Sequence, residues 1–170
     1  MDDPARDAVR NFIERVVLQG ESLTRLSPVM EADRAQAVDD LAAENHFAPL
    51  LAAARGAGPY VLHLAISDGR LVFDIRDAED APLAVLALAL GPYRRLIKDY
   101  GMLVDSHALA VREGRTDRIQ AIDMGRRGLH NDGANLLRER LRGKIDVDFE
   151  TARRLFTLLC VLHQRVDVHH

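Results

Sequence analysis

The densest group of polar side chains lies in residues 125–133, which read Gly-Arg-Arg-Gly-Leu-His-Asn-Asp-Gly. Three glycines in nine residues disfavour an uninterrupted helix, because each costs about 1 kcal/mol relative to alanine, and we predict a kink or tight loop. At the start of a following helix, exposed N–H groups and the helix dipole would help these side chains bind a phosphate or carboxylate. The simpler interpretation is a helix–helix connection whose arginines pair with acids of the same chain. The candidate anion-binding residues are Arg126, Arg127, His130 and Asn131.

A second cationic pair, Arg94 and Arg95, follows Gly91-Pro92-Tyr93 and opens a predicted helix. The start of a helix presents backbone N–H groups to an anion. Two arginines in a first helical turn also oppose the helix dipole, by about 0.3–1 kcal/mol each, so a negative group is expected nearby. An acid of the same chain is the simpler candidate, and a bound phosphate or the acidic face of a partner is the alternative.

An acid–base pair is the third candidate. Asp68-Gly69 between two alternating segments predicts a two-residue hairpin that sets His63 opposite Asp74. A carboxylate that orients an imidazole suits acid–base catalysis, and His130 is a further weak candidate for that role. Cross-strand charge pairs are also ordinary stabilisers, worth roughly 0.2–1 kcal/mol, and no serine or cysteine nucleophile stands beside this one. We therefore assign no catalytic residue.

The elements that must position these side chains change type along the chain. Residues 11–18 predict a strand, and Ser27-Pro28 predicts the start of a helix that runs to about residue 45. Alternation of apolar residues then predicts strands over 60–66 and 71–75, and a continuous apolar run predicts a third over 82–90. The third of these is apolar on both faces, which is typical of a strand inside a sheet.

The remainder of the chain predicts helices. A period of 3.6 runs from about residue 92 to Gly114, Thr116 and Asp132 are candidate N-caps of two separate helices, and Asp148 is the candidate cap of a last, central helix. Arg153 and Arg154 are assigned to a solvated face. The order β-α-β-β-β-α-α-α predicts an α+β fold with an antiparallel-leaning sheet and C-terminal helices. We expect one domain over residues 1–170, frayed at 1–10, with a tail at 166–170.

Composition excludes several classes of protein. The single cysteine, Cys160, rules out a disulfide scaffold, and no cofactor or metal site is expected. The longest apolar run, residues 83–90, is far below the roughly 20 residues of a membrane span, and the acidic start lacks the features of a signal peptide, so we expect a cytoplasmic protein without membrane contact. Residues 1–90 carry a net charge of −7 and residues 91–170 one of +4. This division coincides with the change from sheet to helices, and we expect much of the charge to be paired internally.

Several runs resemble one bacterial family. The runs are Met-Gly-Arg-Arg-Gly-Leu-His-Asn within residues 122–131, Leu-Val-Phe-Asp-Ile-Arg at 71–76, and Val-Asp-Phe followed by Thr-Ala-Arg-Arg-Leu-Phe within 147–156. With Arg94-Arg95 and Lys98-Asp99-Tyr100, they make the stretch from about residue 27 to 163 similar to an uncharacterised protein family found chiefly in alphaproteobacteria. The resemblance implies a small cytoplasmic protein and supplies no catalytic residues.

The sequence favours a binding or regulatory module with an arginine-rich, anion-binding surface on its helical half. The partner would be a phosphate- or carboxylate-bearing ligand or an acidic protein surface, while nucleic acid is not favoured because aromatic residues are few. Two alternatives remain open. One is an enzyme acting on a phosphate-bearing substrate with a His/Asp pair, and the other is a homo-oligomer, such as a homodimer, that needs no ligand.

Overall fold

The computed structural model of the chain describes residues 10–19 and 26–168. Strands dominate the first half and helices the second, which confirms the predicted α+β class. Residues 1–9 of the predicted frayed start and residues 169–170 of the predicted tail lie outside the described residues, whereas residues 166–168 of that tail are helical. The elements are β1 (Ile13–Leu18), α1 (Pro28–Ala43), β2 (Phe47–Pro49), β3 (Tyr60–Ser67), β4 (Arg70–Arg76), β5 (Pro82–Ala89), α2 (Arg94–Arg112), α3 (Thr116–Leu141), β6 (Ile145–Val147) and α4 (Phe149–Val168).

Within the described residues, the main sheet has the strand order β1-β3-β4-β5. β1 runs parallel to β3, and the other pairs are antiparallel. The predicted hairpin is confirmed, since Asp68 and Gly69 have φ angles of 52° and 70°, which a two-residue turn of this type requires. The predicted register is confirmed as well, with His63 opposite Asp74.

The prediction that residues 82–90 form an interior strand is wrong. β5 lies at the edge of the sheet, and β4 is its only neighbour among the described residues. Leu88 is buried in the hydrophobic core, whereas Val85 on the opposite face is 66% exposed. An apolar run shows that neither face of the strand carries a charge. It does not predict whether a second strand pairs with the other edge.

The helices pack on one face of the sheet around a single hydrophobic core. The predicted cap of α1 is confirmed, because Ser27 Oγ accepts a hydrogen bond from the Met30 N–H at 3.3 Å. The predicted cap of α4 is confirmed too, since Asp148 Oδ1 accepts from the Thr151 N–H at 2.8 Å. α4 is buried along most of its length, as its wide apolar arc predicts, and it also buries the thiol of Cys160.

The predicted break at the glycine-rich segment is wrong, because α3 is one continuous helix from Thr116 to Leu141. Thr116 is its first residue rather than its cap, and Asp132 lies in its interior. A methyl group on Gly133 would come within 2.3 Å of the Phe156 ring, so this glycine allows α3 and α4 to pack closely. That packing offsets the low helix propensity of glycine.

A two-stranded sheet of β2 and β6 escaped prediction. Each strand has three residues, too few for an alternating pattern to be distinguished from a loop. The sheet joins the segment after α1 to the segment between α3 and α4, and it thereby fixes the ends of these helices beside one another. None of the helices in the described part of the chain is long and apolar enough to cross a membrane.

Candidate functional site

A small polar cavity of about 220 Å³ lies among α1, α3 and α4. We call it the arginine cavity. Four arginines from two helices line it together with one histidine, and α1 contributes carboxylates to the opposite wall. The lining residues used below are Asp33, Asp40, Asp123, Arg126, Arg127, His130, Arg153 and Arg154.

Acids of the chain neutralise Arg126. Its guanidinium lies 3.1 Å from an Asp33 oxygen and 3.1 Å from an Asp123 oxygen. Asp33 also accepts a hydrogen bond from the Tyr100 hydroxyl at 2.7 Å. Because Asp33 belongs to the acidic half of the chain and Arg126 to the basic half, part of the charge is paired internally, as the sequence predicts.

The other three arginines of the cavity are less fully paired. Arg154 lies 3.7 Å from both Asp40 and Glu150, which is beyond hydrogen-bond distance. Arg153 donates from Nε to Asn131 Oδ1 at 3.2 Å, a neutral acceptor. Neither Arg127 nor Arg153 has an ion pair with a carboxylate among the described residues. Arg127 and Arg153 therefore have no carboxylate partner of their own, although the lining as a whole, with four arginines and three aspartates, has a net charge of only +1.

His130 supplies a neutral polar group. Its ring lies 5.6 Å from that of Tyr100 and 6.3 Å from that of Phe156. Burial, with the neighbouring charges of Arg153 and Arg126, lowers the pKa of His130 from 6.5 to about 4. The imidazole is therefore neutral at pH 7.

Three buried nitrogens of the cavity residues lack hydrogen-bond partners within the described structure. They are His130 Nε2, Arg126 Nε and Arg154 Nε. A buried donor or acceptor without a partner costs about 1–3 kcal/mol, so native structures rarely contain several close together. The cavity thus concentrates three of these atoms beside the side chains of Arg127 and Arg153.

The structure brings the predicted anion-binding residues of α3 together, but in the middle of a helix rather than at the start of one. Arg126, Arg127 and His130 line one cavity, with Asn131 bound to its rim through Arg153. They lie in the middle of a helix, so their backbone N–H groups are used within α3 and no helix start contributes. Arg153 and Arg154, which the sequence assigns to a solvated face, are partly buried and line the cavity. Only the packing of α4 on α3 and α1 brings them there.

Arg94 and Arg95 lie apart from this cavity. Both are exposed in the first turn of α2, which contains no acidic residue. The expectation that an acid of the same chain compensates them is not met by any ion pair among residues 10–19 and 26–168. Both guanidinium groups are therefore exposed and have no ion pair among the described residues.

The third candidate is a saturated polar cluster rather than a dyad. His63 does not bond Asp74 but meets Gln19 at 3.1 Å through Nδ1 and Asp80 at 2.8 Å through Nε2. Arg76 bridges Asp74 and Asp80 at 2.8 and 3.2 Å. The hydrogen bond from His63, with the charge of Arg76, lowers the pKa of Asp80. The strand register predicts only that His63 lies opposite Asp74. Asp80 belongs to the turn before β5, where its φ is 65°, and it contacts His63 from that turn.

Comparison with known proteins identifies the family. The family model described as "Uncharacterised protein family (UPF0262)" matches residues 10–165. The chain belongs to the UPF0262 family. It is 66% identical over 157 residues to a UPF0262 protein of Granulibacter bethesdensis, covering 89% of each chain. It is also 57% identical over 160 residues to one of Acidiphilium cryptum, covering 92% of this chain and 95% of that one.

The resemblance drawn from residues 122–131 and the other runs is thereby confirmed at the level of the family. All residues of the arginine cavity lie inside the region that the UPF0262 model matches. No solved structure matches the chain.

Proposed function

We propose that the chain is a binding module that holds a small phosphate- or carboxylate-bearing molecule in the arginine cavity. The observation that carries this proposal is the coincidence, on one cavity, of three unpartnered buried nitrogens and two arginines without carboxylate partners. Unsatisfied buried polar groups in a concave site are typical of a binding site.

The two arginines without a carboxylate partner favour a phosphate monoester over a monocarboxylate. Asp33 and Asp123 place two negative charges beside Arg126, and Asp40 and Glu150 each lie 3.7 Å from Arg154. Arg127 and Arg153 have no carboxylate partner among the described residues, and a phosphate monoester, which carries about −1.5 to −2 charges at pH 7, offers an oxygen to each of them. Guanidinium groups also match the oxygens of phosphate in pairs, which adds geometric selectivity to the charge.

His130 adds a selective contact to this charge. Because its ring is neutral at pH 7, His130 adds no charge to the cavity and contributes one ordinary hydrogen bond to the ligand. The rings of Tyr100 and Phe156 exclude water from its surroundings, and a hydrogen bond in such surroundings is stronger than in water.

The size of the cavity restricts the ligand. Its volume of about 220 Å³ lies below the roughly 300–1,000 Å³ that encloses a drug-sized molecule. A phosphosugar or smaller phosphate ester is therefore a better fit than a dinucleotide or an extended strand of nucleic acid. The acidic surface of a protein could reach only the rim.

Isothermal titration calorimetry at constant ionic strength tests the proposal with four probes: inorganic phosphate, glycerol 3-phosphate, succinate and AMP. We expect glycerol 3-phosphate to bind more tightly than succinate. Arg153→Gln and Arg127→Gln should each weaken binding by about tenfold, because each removes one charge-assisted contact.

Arg118→Gln is the matched control, since it removes one exposed arginine from the same helix outside the cavity. It should leave the affinity unchanged. The proposal fails if none of the four probes binds, or if Arg118→Gln weakens binding as much as Arg153→Gln does.

A further inference from the structure

The outer edge of β5 has a row of unpaired backbone groups. The Leu90 N–H donates to the Gly69 carbonyl at 3.0 Å. The backbone N–H and C=O groups of the even-numbered residues of β5 therefore point toward β4. Antiparallel pairing alternates, and the N–H and C=O groups of Val85, Ala87 and Ala89 therefore point away from the sheet. No strand in the described part of the chain pairs with them.

This edge lacks the usual protection against pairing. Edge strands of monomers are typically short or bear a charged side chain, a proline or a bulge. Here Pro82 and an irregular register protect only the beginning of the strand, and no charged residue occurs between positions 82 and 90. Val85, Ala87 and Ala89 are exposed. The strand has the composition of an interior strand and the position of an edge.

Charges at the two ends of β5 determine which partner fits. The turn before the strand carries Asp77, Glu79 and Asp80, and the strand is followed by Arg94 and Arg95, which have no acidic partner among the described residues. Antiparallel pairing of two copies brings the beginning of one strand beside the end of the other. Opposite charges then meet at both ends, whereas parallel pairing would set like charges together.

We propose that β5 pairs antiparallel with β5 of a second copy of this chain, about a two-fold axis beside Ala87. The register sets Ala87 opposite the partner's Ala87 and Val85 opposite the partner's Ala89, so all three outward-facing residues form hydrogen bonds. The two sheets become one continuous sheet, and Glu79 approaches the partner's Arg95. A two-fold interface of this kind is self-complementary and closed, so the assembly stops at a dimer.

A cysteine cross-link tests the register. In a hydrogen-bonded antiparallel pair the Cα atoms lie about 5.5 Å apart, which a disulfide can span, so Ala87→Cys should form a covalent dimer on mild oxidation. Ala89→Cys is the matched control. Its two copies would lie four residues apart along the strand, about 14 Å, and should not cross-link. The natural Cys160 is buried and does not interfere.

Light scattering coupled to size-exclusion chromatography measures the mass of the assembly, and it tests whether the outer edge of β5 and the charges at its two ends hold the dimer together. The full chain should have twice its mass of 18.9 kDa. Ala87→Pro and Val85→Lys should yield monomers of unchanged circular dichroism, while Met124→Lys, at an equally exposed site on α3, should leave the dimer intact. Arg95→Glu should raise the dimer dissociation constant about tenfold, and Glu79→Arg in the same chain should restore it.

Several results would overturn the dimer. These are a monomer at every concentration, a dimer that withstands both Ala87→Pro and Val85→Lys, or equal cross-linking of Ala87→Cys and Ala89→Cys. A dimer broken by Met124→Lys would place the interface on the helices instead. None of these outcomes bears on the arginine cavity, which lies on other elements.

Discussion

Two buried histidines of this chain differ in how completely they are bonded. His63 and His130 are each 8% exposed. Both ring nitrogens of His63 have partners, Gln19 and Asp80, whereas Nε2 of His130 has none within the described residues. Equal burial thus accompanies opposite states of hydrogen bonding.

The difference separates a structural role from a binding role. A satisfied polar cluster holds its segments together and leaves no capacity for a ligand. An unsatisfied one costs about 1–3 kcal/mol for each buried group, and a ligand that supplies the missing bonds recovers that free energy on binding. The proposed binding function therefore involves His130 and not His63, although the sequence alone offers an acid–base role for both.

The largest expected effect comes from disturbing the contact that shapes the arginine cavity. Gly133→Ala would force a Cβ to within 2.3 Å of the Phe156 ring, which borders His130. Because both groups are buried between α3 and α4, we expect a loss of more than about 3 kcal/mol in the free energy of unfolding, measured with urea, and loss of anion binding.

Gly128→Ala is the control on the same helix. Nothing lies within 4 Å of the added methyl group, so this variant should gain roughly 0.5–1 kcal/mol through helix propensity. If the two variants had equal stabilities, the close contact of α3 with α4 would be refuted.

The glycines of α3 also show what helix propensity alone cannot predict. Propensity treats Gly125, Gly128 and Gly133 alike and predicts a break. The helix persists because Gly133 faces Phe156, a residue 23 positions away that only the tertiary structure brings near. Local signals such as the Ser27 and Asp148 caps and the Asp68-Gly69 turn were predictable because each acts within a few residues.

The candidate site was half predictable for the same reason. Arg126, Arg127 and His130 are neighbours in sequence, and their density marked the segment. Arg153 and Asp33 come from α4 and α1, and no spacing rule relates them to α3. Likewise, the apolar composition of β5 reported the absence of charge but could not report the position of the strand at an edge.

A second prediction concerns the dependence of stability on pH that follows from the burial of His130. Because the pKa of His130 is about 4 in the folded chain and 6.5 in the unfolded chain, only the unfolded chain takes up this proton between those values. His130 therefore does not reduce the free energy of unfolding above pH 6.5. As the pH falls from 6.5 toward 4, the free energy of unfolding decreases by roughly 3 kcal/mol in total. Urea unfolding at pH 7.5 and 4.5 measures the loss.

His130→Leu should remove most of that dependence on pH, since the titrating group is gone. His46→Gln is the control, because His46 is exposed beside Asp146, and this variant should retain the full dependence. The same slope in His130→Leu and in the unaltered chain would show that the ring is not held neutral by its surroundings.

The smallest expected effect compares the two histidines directly at pH 7.5. His63→Leu removes two hydrogen bonds, but the Asp80 carboxylate is 41% exposed and can bind water instead, so we expect a loss of about 1–2 kcal/mol. His130→Leu exchanges a ring with an unpartnered nitrogen for an apolar side chain beside Tyr100 and Phe156, and should change stability by less than about 0.5 kcal/mol.

Ligand affinity should respond in the opposite order. His130→Leu weakens the binding of glycerol 3-phosphate because one hydrogen bond to the ligand is lost, while His63→Leu leaves it unchanged because that side chain lies on the sheet, outside the cavity. Urea unfolding and calorimetry on the same two variants therefore separate the roles. If His63→Leu abolished binding while His130→Leu destabilised the fold, the assignments of the two histidines would have to be exchanged.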